Sequence, residues 1–225
     1  MRLFKVKSPS MNEKKLINKI VTPLGEILLD IEFINFNISD INYSTCCNIN
    51  GKGYITGWYT DVFEAELLIC RPKLNLPSHM KVDDCYSAMW RLKVKENSLK
   101  CKFCTRWVGN YRWTSGSANS GEGLDAQTWE NEKTIITLGT QDGEKIMSRK
   151  QKEDKMPIKF DSDIDMYSFI QYENSGLSIE IDELIPNETC QVHFAVAWAN
   201  KINNDISTWL AVDLNENDII GEIVK

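Results

Sequence analysis

Over most of its length this chain alternates between apolar and polar side chains at successive residues. That alternation constrains its fold more than any motif does. Ile27, Leu29, Ile31 and Phe33 fall on one side of a run whose other side holds Asp30 and Glu32. Trp90, Leu92 and Val94 alternate with Arg91, Lys93 and Lys95, and Leu99, Cys101, Phe103 and Thr105 with Lys100, Lys102, Cys104 and Arg106. Leu177, Ile179 and Ile181 alternate with Ser178, Glu180 and Asp182, and Val192, Phe194, Val196 and Trp198 with His193, Ala195, Ala197 and Ala199. A period of two belongs to a strand with one face in a core and one in water.

Further strands are expected over 208–214 and 219–224. Turn-forming residues separate these runs: Glu96-Asn97-Ser98, Gln141-Asp142-Gly143 and Asn174-Ser175-Gly176. Asn and Gly readily take the positive φ that tight hairpins need. About ten to twelve short strands punctuated in this way predict an all-β chain, a single antiparallel β-sandwich or jelly roll. The absence of a βαβ rhythm excludes the doubly wound folds.

One segment has helical spacing. Ser10 is a candidate cap, Glu13 follows three residues later, and Leu16, Ile17, Ile20 and Val21 recur at helical intervals before Pro23 and Gly25. A short N-terminal helix is expected at about residues 11–21. Two stretches break the strand rhythm. Residues 113–129, rich in Gly and Ser between Trp113 and Trp129, read as a long flexible loop, and 148–155 as a charged connector. One domain over 1–225 is expected, with a division near residue 155 as the alternative.

The segment Leu184-Ile185-Pro186-Asn187-Glu188-Thr189-Cys190, followed by Val192 and Phe194, resembles the corner that leads into a late strand of fibronectin type III and immunoglobulin-like sandwiches. Cys190 stands where those folds carry a Tyr whose hydroxyl ties the corner to the backbone. The resemblance covers about a dozen residues; it implies a sandwich and, by itself, no function.

Composition narrows the function classes. The chain has 225 residues, seven Trp, eight Phe and seven Tyr, enough apolar material for a substantial core. A net charge of −6 disfavours nucleic acid and anionic membranes as partners of the whole surface. No apolar run approaches the roughly 18 residues of a membrane span, and no signal-like segment opens the sequence. A cytoplasmic location is the expectation, and the odd count of seven cysteines agrees with reduced thiols. The sequons at Asn37, Asn42 and Asn187 are then incidental.

Chemical motifs are sparse. Cys101 and Cys104 form a lone CxxC, and Cys46-Cys47 a vicinal pair, whereas structural zinc normally takes two such pairs or added His. On a strand, Cys101 and Cys104 point to opposite faces, so no metal is expected there. Cys190 and His193 likewise diverge, and His79 lies in a polar loop near Asp83, Asp84 and Cys85. Asp161, Asp163 and Asp165 resemble the start of a calcium loop, but Met166 and Tyr172 stand where an EF-hand needs Gly and Glu. A solvated acidic turn is the expectation. No phosphate-binding glycine loop is present, and no cofactor is indicated. Paired carboxylates for glycosidic cleavage leave no signature in sequence.

The surface singled out is a basic stripe. If 90–95 and 99–106 pair as a hairpin, their outer face carries Arg91, Lys93, Lys95, Lys100, Lys102 and Arg106, followed by Trp107, Tyr111, Arg112, Trp113 and the loop to Trp129. Such a face suits an acidic protein or small anionic ligand, although outward lysines also protect sheet edges from aggregation. Trp58, Tyr59, Trp113 and Trp129 fall near loops and suit stacking on sugar rings; Trp90, Trp198 and Trp209 read as core. The chain is therefore expected to bind rather than catalyse. A protein-interaction or ligand-sensing module, such as a defence component, comes first, a lectin-like carbohydrate binder second, and a membrane-inserting β protein third.

Overall fold

The structure, a computed structural model, describes residues 16–37, 43–49, 51–121, 123–146, 170–201 and 205–221. Within them the alternating runs become thirteen strands: β1 (Ile17–Thr22), β2 (Gly25–Phe33), β3 (Tyr43–Asn48), β4 (Gly53–Tyr59), β5 (Phe63–Cys70), β6 (Asp84–Val94), β7 (Leu99–Val108), β8 (Ser115–Gly121), β9 (Leu124–Glu130), β10 (Thr134–Gln141), β11 (Ile170–Glu173), β12 (Gly176–Leu184) and β13 (Thr189–Asn200). Two short helices follow, α1 (Asp205–Val212) and α2 (Glu216–Ile220). The strands form a five-stranded sheet, ordered β1-β2-β7-β12-β11, and an eight-stranded sheet, ordered β3-β4-β5-β6-β13-β10-β9-β8. All pairings are antiparallel. The result is the expected all-β sandwich.

The main core lies between the sheets. Ile27, Leu29, Phe103, Leu177 and Ile179 from one sheet meet Phe63, Leu67, Trp90, Leu92, Phe194 and Val196 from the other, all essentially inaccessible to water. Each such side chain contributes about 1.5–3 kcal/mol by leaving water. Leu92 is buried and Lys93 exposed, as the alternation requires.

A second, smaller core covers the outer face of the eight-stranded sheet. There β13 presents Ala195 and Ala197, and β10 presents Gly139, to Ala211 and Val212 of α1 and Ile219 of α2. Small side chains at these outward positions let the helix settle closely. A Cβ added at Gly139 would lie 2.7 Å from Val212 Cγ2. β13 is thus buried on both faces although its outward residues are small.

Several expectations are corrected. The helix expected at 11–21 is contradicted from Ile17 onward: that stretch is β1, and residues 11–15 fall outside the described residues. Six consecutive backbone pairs with β2, from Ile17↔Asp30 to Thr22↔Gly25, override the helical spacing. Ile20 turns inward while Val21 is 65% exposed. Pro23 and Gly25, at φ 141°, then turn a hairpin rather than end a helix. The strand expected at 208–214 is instead helical over 208–212, within α1, and of the strand expected at 219–224 residues 219–220 end α2 while 222–224 lie outside the described residues.

The flexible loop expected at 113–129 is also contradicted, because it holds β8 and β9 in an unbroken seven-pair hairpin. Gln141-Asp142-Gly143 leads from β10 into a helical turn starting at Gly143 instead of a hairpin. Asn174-Ser175-Gly176 does connect a hairpin, but Gly176 is there for space rather than positive φ: a Cβ would lie 1.8 Å from the Thr105 carbonyl oxygen.

The Pro186 corner is tied down without a tyrosine. Glu188 Oε2 accepts from the Ile185 N–H at 2.7 Å, and the backbone of Asn187 and Glu188 exchanges hydrogen bonds with Val94 at 2.9 and 3.0 Å. Asn187 takes φ 73°, and Cys190 is fully buried in the core.

Candidate functional site

The basic stripe does not exist as one surface. β6 belongs to the eight-stranded sheet and β7 to the five-stranded sheet, so Glu96-Asn97-Ser98 crosses between sheets rather than turning a hairpin. Asn97 still takes φ 59°. Arg91 and Lys93 consequently face out from one side of the sandwich, and Lys100, Lys102 and Arg106 from the other.

Carboxylates of the chain itself meet most of these cations. Arg91 Nη1 lies 3.9 Å from Glu66, and Lys95 Nζ 3.0 Å from Glu64. Lys93 sits in register with Glu64. Lys100 bridges Glu180 and Asp182 at 3.1 and 2.6 Å, Lys102 meets Glu173 at 2.6 Å, and Arg106 meets Asp30 and Glu32 at 2.5 and 2.8 Å. Burial raises the Glu173 carboxyl, but the bond from Lys102 outweighs it and holds the group below its ordinary range. Cross-strand pairs of opposite charge account for this arrangement as sheet stabilisation.

The aromatic candidates separate in the same way. Trp107 and Trp129 are core, packed edge to face with ring centroids 5.5 Å apart. Tyr111 is 47% exposed and lies flat on the half-buried Trp113, centroids 4.5 Å apart at 7°, with Arg112 exposed between them in sequence. Trp58 is buried against Trp90.

A groove of about 480 Å³ opens on the outer face of the eight-stranded sheet, where β8 and β9 meet α1. Its floor carries the hydroxyls and amide of Ser115, Ser117, Asn119 and Thr128; Glu130 closes one end, and Ile206 and Trp209 of α1 form a wall. Thr128 continues a hydroxyl chain beneath the helix, 3.1 Å to Thr137 and from there 2.8 Å to Thr208. Glu130 accepts from Ser115 Oγ at 3.3 Å and from Lys201 Nζ at 2.8 Å. Gly121 makes room for the indole, since a Cβ there would lie 3.1 Å from Trp209 Cζ2.

Trp209 reads as core in the sequence; in α1 it packs against the edge of the smaller core and stays partly open to water. Ser207, Thr208, Ala211 and Val212 are buried, while Ile206 is 52% and Leu210 37% exposed and Trp209 is half-buried. The spacing of Ile206, Trp209 and Leu210 is a helical stripe, a signal present in the sequence and obscured by reading the segment as a strand.

The remaining chemical groups lie apart. His79 is exposed between Pro77 and Met80, and His193 is buried with Nε2 3.1 Å from the Leu214 carbonyl. Cys46 and Cys47 are exposed on β3, and the other five thiols are buried. Burial, followed by the Glu32 and Asp30 charges, pushes the Cys104 thiol far up. Asp30, Glu32 and Cys104 offer ligand atoms within 4.8 Å of one another. The Arg106 guanidinium already bonds both carboxylates, and a protonated thiol is a poor metal ligand. The acidic segment with Asp161, Asp163 and Asp165 lies outside the described residues.

No protein-family model matches the chain, and no curated protein matches it. Among solved structures it is similar to one titled "Putative kojibiose phosphorylase from human microbiome", at 11% identity and a TM-score of 0.48. The alignment covers 88% of this chain and spans 28% of the length of that one. At that score the likeness assigns neither activity nor ligand here. Among the described residues, no helix is long and apolar enough to cross a membrane.

Proposed function

We propose that this domain binds a neutral, polyhydroxylated ligand of the carbohydrate class in the groove between β8, β9 and α1, and that it acts by binding without catalysis. The composition of the groove carries this reading. Neutral hydroxyl and amide groups line the floor, an indole and an aliphatic side chain form the wall, and among the described lining residues Glu130 is the one carboxylate. A pyranose has an apolar face that stacks on an indole and a rim of hydroxyls that pair with Ser, Thr, Asn and carboxylate groups. The volume falls within the roughly 300–1,000 Å³ of small-ligand sites.

Glu130 is partnered by Lys201 and by Ser115, an arrangement suited to holding a hydroxyl. Catalysis of glycosidic cleavage normally uses two carboxyl groups facing each other across the bond, and this lining supplies one. The acidic-partner reading loses its main support, because the cations proposed for it face opposite ways and mostly meet carboxylates of the chain itself.

The test is calorimetric titration with a panel of neutral oligosaccharides, alongside inorganic phosphate. Binding of a neutral sugar is expected, weakened about tenfold or more by Trp209→Ala and by Asn119→Ala, with Trp113→Ala close to wild type. No binding across the panel, or binding indifferent to both groove variants, would remove the proposal.

A further inference from the structure

Strand β8 ends the eight-stranded sheet, and among the described residues no strand lies on its far side. Edge strands of soluble proteins are commonly guarded by Lys, Pro, a bulge or extreme shortness, because their unpaired N–H and C=O groups recruit another strand. β8 has none of these guards. It runs for seven residues, all exposed and none charged, in unbroken register with β9. The edges of the five-stranded sheet carry charge among the described residues: β1 has Lys19 and β11 has Glu173. β3, at the opposite edge of the eight-stranded sheet, is uncharged as well.

What distinguishes β8 is that its sequence, Ser-Gly-Ser-Ala-Asn-Ser-Gly, fits its own reverse. Antiparallel pairing about Ala118 sets Ser115 opposite Gly121, Gly116 opposite Ser120 and Ser117 opposite Asn119, with Ala118 facing Ala118. Every glycine meets a serine, the longest side chain meets a hydroxyl, and no like charges face each other. Such self-complementarity is what an isologous twofold contact requires. The Tyr172 hydroxyl lies 3.0 Å from the Asn119 carbonyl and closer to the Asp125 carboxylate, and the Asn119 oxygen keeps a lone pair for a further partner.

We propose that β8 pairs with β8 of a second copy across a twofold axis, joining the two eight-stranded sheets into one. The paired residues have the same parity, so the outer faces of both sheets lie on one side. Both grooves then open on that side, with Ser117 and Asn119 of the partner next to those of the first copy. The pairing stands independently of which ligand the groove takes.

The test is light scattering coupled to size-exclusion chromatography of the full chain. A mass twice the 25.9 kDa of one chain is expected for wild type. Ala118→Lys places two ammonium groups directly opposite each other, and the expected result is a monomer with unchanged circular dichroism. Thr45→Lys, on the β3 edge, is expected to stay dimeric, as is Trp209→Ala, which separates this proposal from the ligand reading.

A second measurement uses a Cys46→Ser, Cys47→Ser background carrying Ala118→Cys. Opposed Cα atoms at about 4.5–5.5 Å suit a disulfide. Two thiols should therefore lose two protons and two electrons to oxidised glutathione, giving a covalent dimer, and Val21→Cys on β1 should not. A monomeric wild type, a dimer that survives Ala118→Lys, or a dimer lost in Thr45→Lys overturns the proposal.

Discussion

The seat of α1 on the sheet gives a quantitative test, because one methyl group suffices to disturb it. A Cβ at Gly139 would lie 2.7 Å from Val212 Cγ2, 3.0 Å from Leu124 Cδ1 and 3.1 Å from Val212 Cβ. Overpacking of this kind costs about 1–3 kcal/mol, and replacing Gly by Ala within a strand returns roughly 0.5–1 kcal/mol of chain entropy. Gly139→Ala should therefore lose about 1–2 kcal/mol. In a domain of this size that is a fall in melting temperature of about 2–8 °C.

Val212 is 1% exposed, and Val212→Ala alone should lose about 2 kcal/mol through transfer and cavity terms. In the double variant the new methyl occupies space that the valine vacated. Its loss should be about 2 kcal/mol instead of the summed 3–4, a coupling of at least about 1 kcal/mol. The measurement is a double-mutant cycle by urea denaturation followed by tryptophan fluorescence. Losses that add to within about 0.5 kcal/mol would refute the idea that Gly139 is glycine because α1 needs the room. The same cycle bears on the groove, since Ile206 and Trp209 ride on that helix.

Three further outcomes are expected. The bidentate bond from Arg71 to Asp84, at 2.8 and 2.9 Å, holds that carboxyl below its ordinary 3.8. The stability it contributes is present above pH 3.8 and lost as pH falls through the lower folded value. Carbon-13 titration should place Asp84 below 3.8 and return it upward in Arg71→Met, and an unshifted Asp84 would contradict this. The exposed Cys46 and Cys47 should react quickly with a disulfide reagent and the five buried thiols only on unfolding, since burial pushes the Cys85 and Cys101 thiols well up and keeps them protonated. A third fast thiol in the native protein would be inconsistent with that burial. Gly176→Ala should lose at least about 3 kcal/mol in thermal unfolding, because the new Cβ meets backbone at Thr105 rather than a side chain that can move; a near-wild-type melting point would show the seam to be loose.

Much of the local structure was legible in the sequence, because alternation is a property of each segment alone. It revealed which side of each long strand is buried, down to Leu92 inward and Lys93 outward, and it established the all-β class. It also hid three segments. Residues 115–121 lack the large apolar side chains that make alternation visible, yet backbone pairing with β9 makes them the strand β8. The segments of β1 and α1 carry apolar residues compatible with either period, and partners far away in sequence chose between them: β2 for the first, and the small-residue face of β10 and β13 for the second. Tertiary structure alone decided which sheet each strand joined. Side-chain period fixes the face of a strand but says nothing about its neighbour across the hydrogen bonds, so β6 and β7, joined by the four residues Lys95, Glu96, Asn97 and Ser98, entered opposite sheets and took the basic stripe apart. The groove arose by the same route, from a hairpin and a helix that no local pattern connects.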